Sequence, residues 1–176
     1  GVDPQSGHMD IRFQIVLPGV DLDLSRAGKG PSHGWFFFST YNTEQANTLL
    51  EVNASQKDKD FIVAVNWKKA EEYVKAGMGR KMATEYYHNM MNHETHTATS
   101  EVRREVLVLD PNEQKDFVYL IPCPKSPHGC DVDPTGEYIV GSGKLAALIP
   151  VFAFQKITKA IADNAFEGDY YGIPVI

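Results

Sequence analysis

A weak internal repeat is the feature that most limits the fold of this chain. Residues 61–75, FIVAVNWKKAEEYVK, align with residues 148–162, LIPVFAFQKITKAIA: each has an apolar strand pattern, an aromatic residue, a lysine and a short helical pattern. A His-Gly turn precedes each copy, and the copies lie about 87 residues apart, near twice the ~40–45 residues of one propeller blade. The competing interpretation is that strand-to-helix corners resemble one another in any fold.

Short apolar runs elsewhere are typical of antiparallel strands. In Asp133-Pro134-Thr135-Gly136, proline at position i+1 and glycine at i+3 predict a type I turn within a hairpin. Residues 79–100 are polar without a usable period and predict a long loop. Strands are predicted at 10–16, 35–40, 61–65, 102–109, 117–121, 138–140 and within 145–154, and helices at 67–76 and around 157–161. The sequence therefore predicts an all-β fold with two short helices, of the propeller or sandwich class.

Charge and hydropathy exclude two classes of partner. The formal net charge is −6 and no basic block occurs, so a nucleic acid is not expected to bind. No apolar run reaches the ~18–20 residues that span a bilayer, so no membrane span is expected. With 43% hydrophobic residues the chain can bury one core. Residues 1–9, GVDPQSGHM, have no apolar pattern and indicate a remnant of an expression vector.

Residues 122–130, PCPKSPHGC, place soft metal ligands at a stiff corner. His128 lies between Pro127 and Gly129, which suits either a metal ligand or a turn histidine bonded to the backbone. Cys123 and Cys130 are open to three interpretations: a disulfide, two buried free thiols, or a Cys2His zinc set with His128. Free thiols are favoured as the commoner outcome in such a segment. The zinc set is disfavoured because the prolines leave the loop little freedom to fold around an ion.

Two further groups of side chains are metal candidates. The tract YYHNMMNHETH offers His88, His93 and His96 as ligands, but its spacing fits no ligand motif, and an insertion that packs on a neighbour is favoured. Glu44 and the acidic residues of 58–60 offer oxygens for Ca²⁺, or are simply solvated. No Ser-His-Asp order, P-loop or GxGxxG motif supports a hydrolase or a nucleotide-binding protein.

Three stretches carry a resemblance to a known family. They are GWFFFSTYNTE (34–44), DFIVAVNWKKAEEYVKAG (60–77) and IPCPKSPHGCDVDPTGEYIVGSGKLAALIPVF (121–152). The chain from 10 to 176 resembles the middle of the N-terminal β-propeller of nitrous-oxide reductases, in the form found outside the best-known denitrifiers. The resemblance implies that residues 10–176 are a fragment, a partial β-propeller with a few of seven blades. The family reduces N2O to N2 and water in the periplasm, using copper.

The resemblance also implies site residues and partners. The PHG motif makes His128 a ligand of the copper–sulfide cluster, while His33 and the histidines of 86–96 match no ligand. A calcium site beside the cluster is implied at Tyr41, Glu44, Val52 (through its carbonyl), Asp58 and Ser126, where the family often has Asn in place of Ser126. Whole family members form homodimers, take electrons from a cytochrome or cupredoxin, and carry a dinuclear copper centre in a C-terminal cupredoxin domain.

This chain contains one of the many cluster histidines, so the isolated polypeptide is expected to be inactive. Two alternatives remain. The first is a non-catalytic propeller module that binds partners through its loops. The second is a small metal-binding domain that uses His88, His93 and His96.

Overall fold

Twelve β-strands and two α-helices make up the described part of the chain. The computed structural model describes residues 12–20, 22–40, 60–91, 98–124, 127–143 and 147–176, without the side chains of 83–91 and 98–104. The strands are β1 (Gln14–Ile15), β2 (Leu22–Ala27), β3 (Trp35–Thr40), β4 (Phe61–Asn66), β5 (Arg80–Met91), β6 (Ala98–Leu109), β7 (Val118–Pro122), β8 (Cys130–Val132), β9 (Tyr138–Gly141), β10 (Val151–Ala153), β11 (Gly168–Tyr170) and β12 (Ile173–Val175). The helices are α1 (Trp67–Lys75) and α2 (Phe154–Ala162). The fold is all-β with two short helices, as the sequence predicts.

Strand β4 lies at the centre of a six-stranded sheet with the order β11-β12-β7-β4-β3-β2. All residues from Phe61 to Val65 are buried. This apolar run is buried on both faces because successive side chains of a strand point to opposite sides. Strands β2, β3, β4 and β7 are antiparallel neighbours, whereas β12 lies parallel to β7.

The two faces of β4 belong to two separate cores. Phe61, Val63 and Val65 lie in the first core, together with residues of α1 and β6. Ile62 and Ala64 lie in the second, together with residues of β8, β9 and α2. Burial of a large apolar side chain contributes roughly 1.5–3 kcal/mol. Strand β4 therefore holds a layer on each side of the central sheet.

Both copies of the internal repeat form a strand that runs directly into a helix. Strand β4 is followed by α1, and β10 is followed by α2. The first helix lies where the sequence predicts it. The second begins at Phe154, three residues before its first predicted position, because Phe154 and Ile157 both turn into the second core.

The prediction of a long loop over 79–100 is wrong. Strand β5 occupies most of that segment and pairs antiparallel with β6, from Arg80 opposite Val108 to Met91 opposite Ala98. A strand does not need an alternating apolar face when backbone pairing with a neighbour satisfies its amides and carbonyls. Thr84, Tyr86 and Tyr87 also have high strand propensity, a signal that the period alone does not detect.

The predicted turn at Asp133–Gly136 is confirmed and joins β8 to β9. The Gly136 amide donates to the Asp133 carbonyl at 3.0 Å, and Gly136 has a φ of +78°. A Cβ on Gly136 would lie 1.8 Å from the carbonyl oxygen of Lys29. The turn therefore packs directly on the backbone that precedes the first His-Gly turn.

One predicted strand is short, and one segment predicted as turns contains a strand. Among the described residues of 10–16, Gln14–Ile15 form a strand, and the strand predicted within 145–154 is Val151–Ala153. The turn-rich segment 17–33 contains β2, whose leucines alternate with polar residues. Residues 1–9 lie outside the described residues, so their origin remains a prediction. Within the described ranges, neither helix has the length and hydropathy needed to cross a membrane.

Candidate functional site around His128

The corner that carries His128 is fixed by its neighbours in the chain. Pro127 is fully buried, and Gly129 adopts a φ of +124°, which glycine reaches without strain. The Gly129 amide donates to the Pro127 carbonyl at 2.9 Å, and the Ser142 amide donates to the Gly129 carbonyl at 3.2 Å. The imidazole of His128 is half exposed, at 48% of its side-chain surface, on a backbone held from both sides.

The imidazole of His128 pairs with a carboxylate from another strand. Its Nδ1 atom is hydrogen-bonded to Oδ2 of Asp23 on β2, and the Asp23 side chain is 20% exposed. An ionised carboxylate can only accept, so Nδ1 is the donor in this pair, and in the neutral form of the ring the lone pair then lies on Nε2. Metal-binding histidines are oriented by such a carboxylate. The pair therefore has the chemistry of a prepared metal ligand.

The described residues supply one imidazole to this corner. Among the described ranges, no three residues of His, Cys, Asp or Glu come together as a metal-binding group. Copper accepts imidazole nitrogen, so the His128–Asp23 pair fits one ligand position of a copper site. A complete site requires donors from elsewhere.

Both cysteines near His128 are free thiols. The Cys130 sulfur lies 3.4 Å from the Phe37 carbonyl oxygen, inside the second core. Burial raises the pKa of Cys123 to about 12, with further contributions from Asp60 and Cys130. Burial likewise raises the pKa of Cys130 to about 11. At neutral pH both groups are therefore protonated thiols in the metal-free chain.

The calcium ligands implied by the resemblance lie outside the described residues. These are Tyr41, Glu44, Val52, Asp58 and Ser126. The described residues on either side of this segment, 41–59, are bonded to one another and to the corner. Thr40 and Phe61 meet, since the Phe61 amide donates to the Thr40 hydroxyl at 3.0 Å. Ser39 accepts from the Gly129 amide at 3.0 Å, and the Asp60 carbonyl accepts from the Cys123 amide at 2.9 Å. Two described residues that flank 41–59 in the chain are therefore bonded to residues on either side of His128.

The other candidate histidines are not placed in this site. His33 is exposed and packs against Trp67, with 5.7 Å between the ring centroids. His88 lies on β5, where the backbone pairs it with Ser100, and its side chain is not described. His93 and His96 lie outside the described residues, so their role remains a prediction.

Comparison with known proteins finds similarity to nitrous-oxide reductases. The chain is 27% identical over 155 residues to nitrous-oxide reductase from Stutzerimonas stutzeri, which is 88% of this chain and 21% of the relative. It is 26% identical over 157 residues to nitrous-oxide reductase from Pseudomonas fluorescens, which is 89% of this chain and 21% of the relative. The similarity is to an oxidoreductase, and it is distant. No family model matches the chain. The chain spans about a fifth of the length of the curated relatives it matches.

Asp23 is the site residue that the sequence interpretation missed. It lies in a segment assigned to turns, 105 positions from its partner in the chain. One local signal was present: Leu22, Asp23 and Leu24 alternate as in a strand with one polar face. That pattern predicts a strand but gives no reason to join Asp23 to His128.

Proposed function

We propose that this chain is part of the copper-binding domain of a protein related to nitrous-oxide reductase, and that His128 is one of its copper ligands. The observation that carries the proposal is the His128–Asp23 pair, in a chain whose similarity to nitrous-oxide reductase extends over nearly nine tenths of its length. In this proposal Asp23 holds the proton on Nδ1 and His128 presents Nε2 to the metal.

The whole protein, rather than this segment, would perform the reaction. A copper–sulfide cluster, held in part by His128, would supply the redox chemistry for reduction of N2O to N2 and water, with two electrons from an external donor and two protons from solvent. A single imidazole cannot hold such a cluster, so we expect the 176-residue polypeptide alone to be inactive. The periplasmic location, the homodimer, the cytochrome or cupredoxin donor and the C-terminal dinuclear copper centre belong to the same proposal for the whole protein.

The sheet arrangement supports a partial propeller. Strands β2, β3, β4 and β7 form four antiparallel neighbours, the number in one propeller blade. Strands β8, β9 and β10 form a three-stranded antiparallel sheet packed against one face, where the next blade would begin. The parallel pairing of β12 with β7 is an addition to the blade pattern.

The contacts of the residues that flank 41–59 support a calcium site beside the copper ligand. Ser39 and Asp60, on either side of that segment in the chain, are bonded to Gly129 and Cys123. Carboxylate, phenol and carbonyl oxygens are suitable ligands for Ca²⁺. We therefore propose Tyr41, Glu44, Val52, Asp58 and Ser126 as its ligands. Of these, Ser126 is the nearest to His128 in the chain.

The alternative function is a propeller module that binds partners without catalysis. The two functions differ in the open reading frame that surrounds this chain. A copper enzyme requires further ligand histidines and a Cys/His/Met copper motif there, whereas an interaction module does not.

The test uses the protein encoded by the whole open reading frame. We expect His128→Ala to remove most of the copper and to abolish N2O consumption, measured by metal analysis and by headspace gas. His33→Ala is the matched control, because it removes an imidazole from the other His-Gly turn, and it should retain both. Full copper content and full N2O consumption in His128→Ala would contradict the proposal.

A further inference from the structure

Ser39 lies between the two segments that carry His128 and Asp23. It is on β3 and is fully buried. Its hydroxyl oxygen accepts from the Gly129 amide at 3.0 Å and from the Leu24 amide at 3.4 Å. Gly129 follows His128 in the chain, and Leu24 follows Asp23. One buried oxygen therefore ties together the backbones next to both members of the pair.

A break in the strand register explains why Leu24 uses a side-chain acceptor. Strand β2 pairs with β3 at Leu22–Thr40 and again at Ser25–Phe38. Two residues of β2, Asp23 and Leu24, are thus opposite the single residue Ser39 of β3. An extra residue of this kind is a β-bulge, which disrupts the backbone ladder and redirects a side chain. Here the Ser39 hydroxyl accepts from one of the two bulged residues, and the carboxylate of the other pairs with His128.

We propose that Ser39 is a positioning residue that holds Asp23 against His128. The proposal rests on the proposed role of His128 as a metal ligand, but the hydrogen bonds themselves do not require a metal. Loss of the Ser39 oxygen removes the acceptor shared by the bulge and the corner. Without that acceptor, the bulge of β2 and the corner at His128 are free to move relative to each other, and the Asp23–His128 bond is less firmly held.

The experiment reads the protonated nitrogen of His128 in the metal-free chain. Long-range nitrogen–proton NMR of histidine-labelled protein at neutral pH distinguishes a proton on Nδ1 from one on Nε2. The variants are Ser39→Ala and Ser39→Cys, which keeps a side chain but offers a weak acceptor. Thr40→Ala is the matched control, since Thr40 is the next residue, is equally buried, and bonds the Phe61 backbone instead.

We expect the wild type and Thr40→Ala to show a single Nδ1–H form of His128. In Ser39→Ala the signal should average between the two forms, and the Nδ1 proton should exchange with water about tenfold faster. Ser39→Cys should be intermediate, and it decides the outcome if Ser39→Ala does not fold. An unchanged Nδ1–H form in the folded Ser39 variants would overturn the proposal. So would an equal change in Thr40→Ala. Copper binding does not enter this measurement, so its result is separate from the test of the proposed function.

Discussion

The turns His33–Gly34 and His128–Gly129 share a dipeptide and a glycine with positive φ, +106° and +124°, but their imidazoles meet different partners. His33 packs edge-on against the indole of Trp67. His128 is bonded to the carboxylate of Asp23. An indole ring offers an imidazole only packing, whereas a carboxylate fixes its proton and orients its lone pair.

The backbones of the two turns also have different roles. The Gly34 carbonyl accepts from the amides of Trp67 and Lys68 at 3.0 and 3.4 Å, which satisfies the first amides of α1. The Gly129 amide instead donates to Ser39. The first turn is thus part of a helix start, and the second is part of a candidate site. The chemical role of a His-Gly turn therefore depends on which side chains a neighbouring element places beside it.

The largest effect on stability is expected at the contact between the turn that follows β8 and the backbone that precedes the His33–Gly34 turn. Gly136, in the turn after β8, has a φ of +78°, and a Cβ there would meet the Lys29 carbonyl oxygen. We expect Gly136→Ala to lower the free energy of unfolding by about 3–4 kcal/mol, from backbone strain and the clash together. Urea unfolding followed by circular dichroism measures the change.

Gly77→Ala is the matched control for that variant. Gly77 has a similar φ of +72°, but a Cβ there would have no atom within 4 Å. Strain alone should cost about 1–2 kcal/mol. Equal losses in the two variants would show that the contact with Lys29 contributes nothing.

A smaller effect is expected from exchanging the helix caps of the two repeat copies. Asn66 accepts from the Lys69 amide at the start of α1, whereas Ala153 gives α2 no side-chain cap. Their backbones are alike, with φ of −78° and −77°. We expect Asn66→Ala to lower the free energy of unfolding by about 1 kcal/mol and Ala153→Asn to raise it by about 0.5–1 kcal/mol. Thermal unfolding of both variants checks this. Lower stability of Ala153→Asn would show that the starts of α1 and α2 are not equivalent.

The smallest effect concerns acid stability of the turn after His128. The Thr135 hydroxyl and the Tyr138 amide lower the pKa of Asp133 to about 2. Because this pKa is below the unfolded value of about 3.9, the stabilisation is present above pH ~4 and is lost as pH falls towards 2. Asp133→Asn should therefore show a smaller drop in the urea midpoint between pH 5 and pH 2 than the wild type. An equal drop in the urea midpoint of the two proteins would show that the Asp133 carboxylate is not the cause of the acid sensitivity.

Buried apolar runs made much of the fold predictable from the sequence. Phe61–Val65 predicts a central strand because a strand buried on both faces needs no polar alternation. The turn at Asp133–Gly136 was predictable because its residue types fix the backbone angles. Strand β5 was not, since its position depends on pairing with β6, and pairing leaves little local signal.

The candidate site was less predictable. From its neighbours alone, His128 fits a turn histidine better than a metal ligand, and only the family resemblance favoured the ligand. Asp23 and Ser39 reach the corner through a β-bulge and the packing of β8 on the central sheet. Such contacts join residues about 90 or more positions apart, which no local pattern encodes.

The central claim is that Asp23 gives His128 the form of a metal ligand. Its most direct test is the protonation of the two turn histidines in the wild-type chain, by nitrogen–proton NMR at neutral pH. The account predicts that neutral His128 carries its proton on Nδ1 alone and loses this preference in Asp23→Ala, while the signals of His33 are the same in both proteins. A proton on Nε2 of His128, or a His128 signal that Asp23→Ala leaves unchanged, would contradict it.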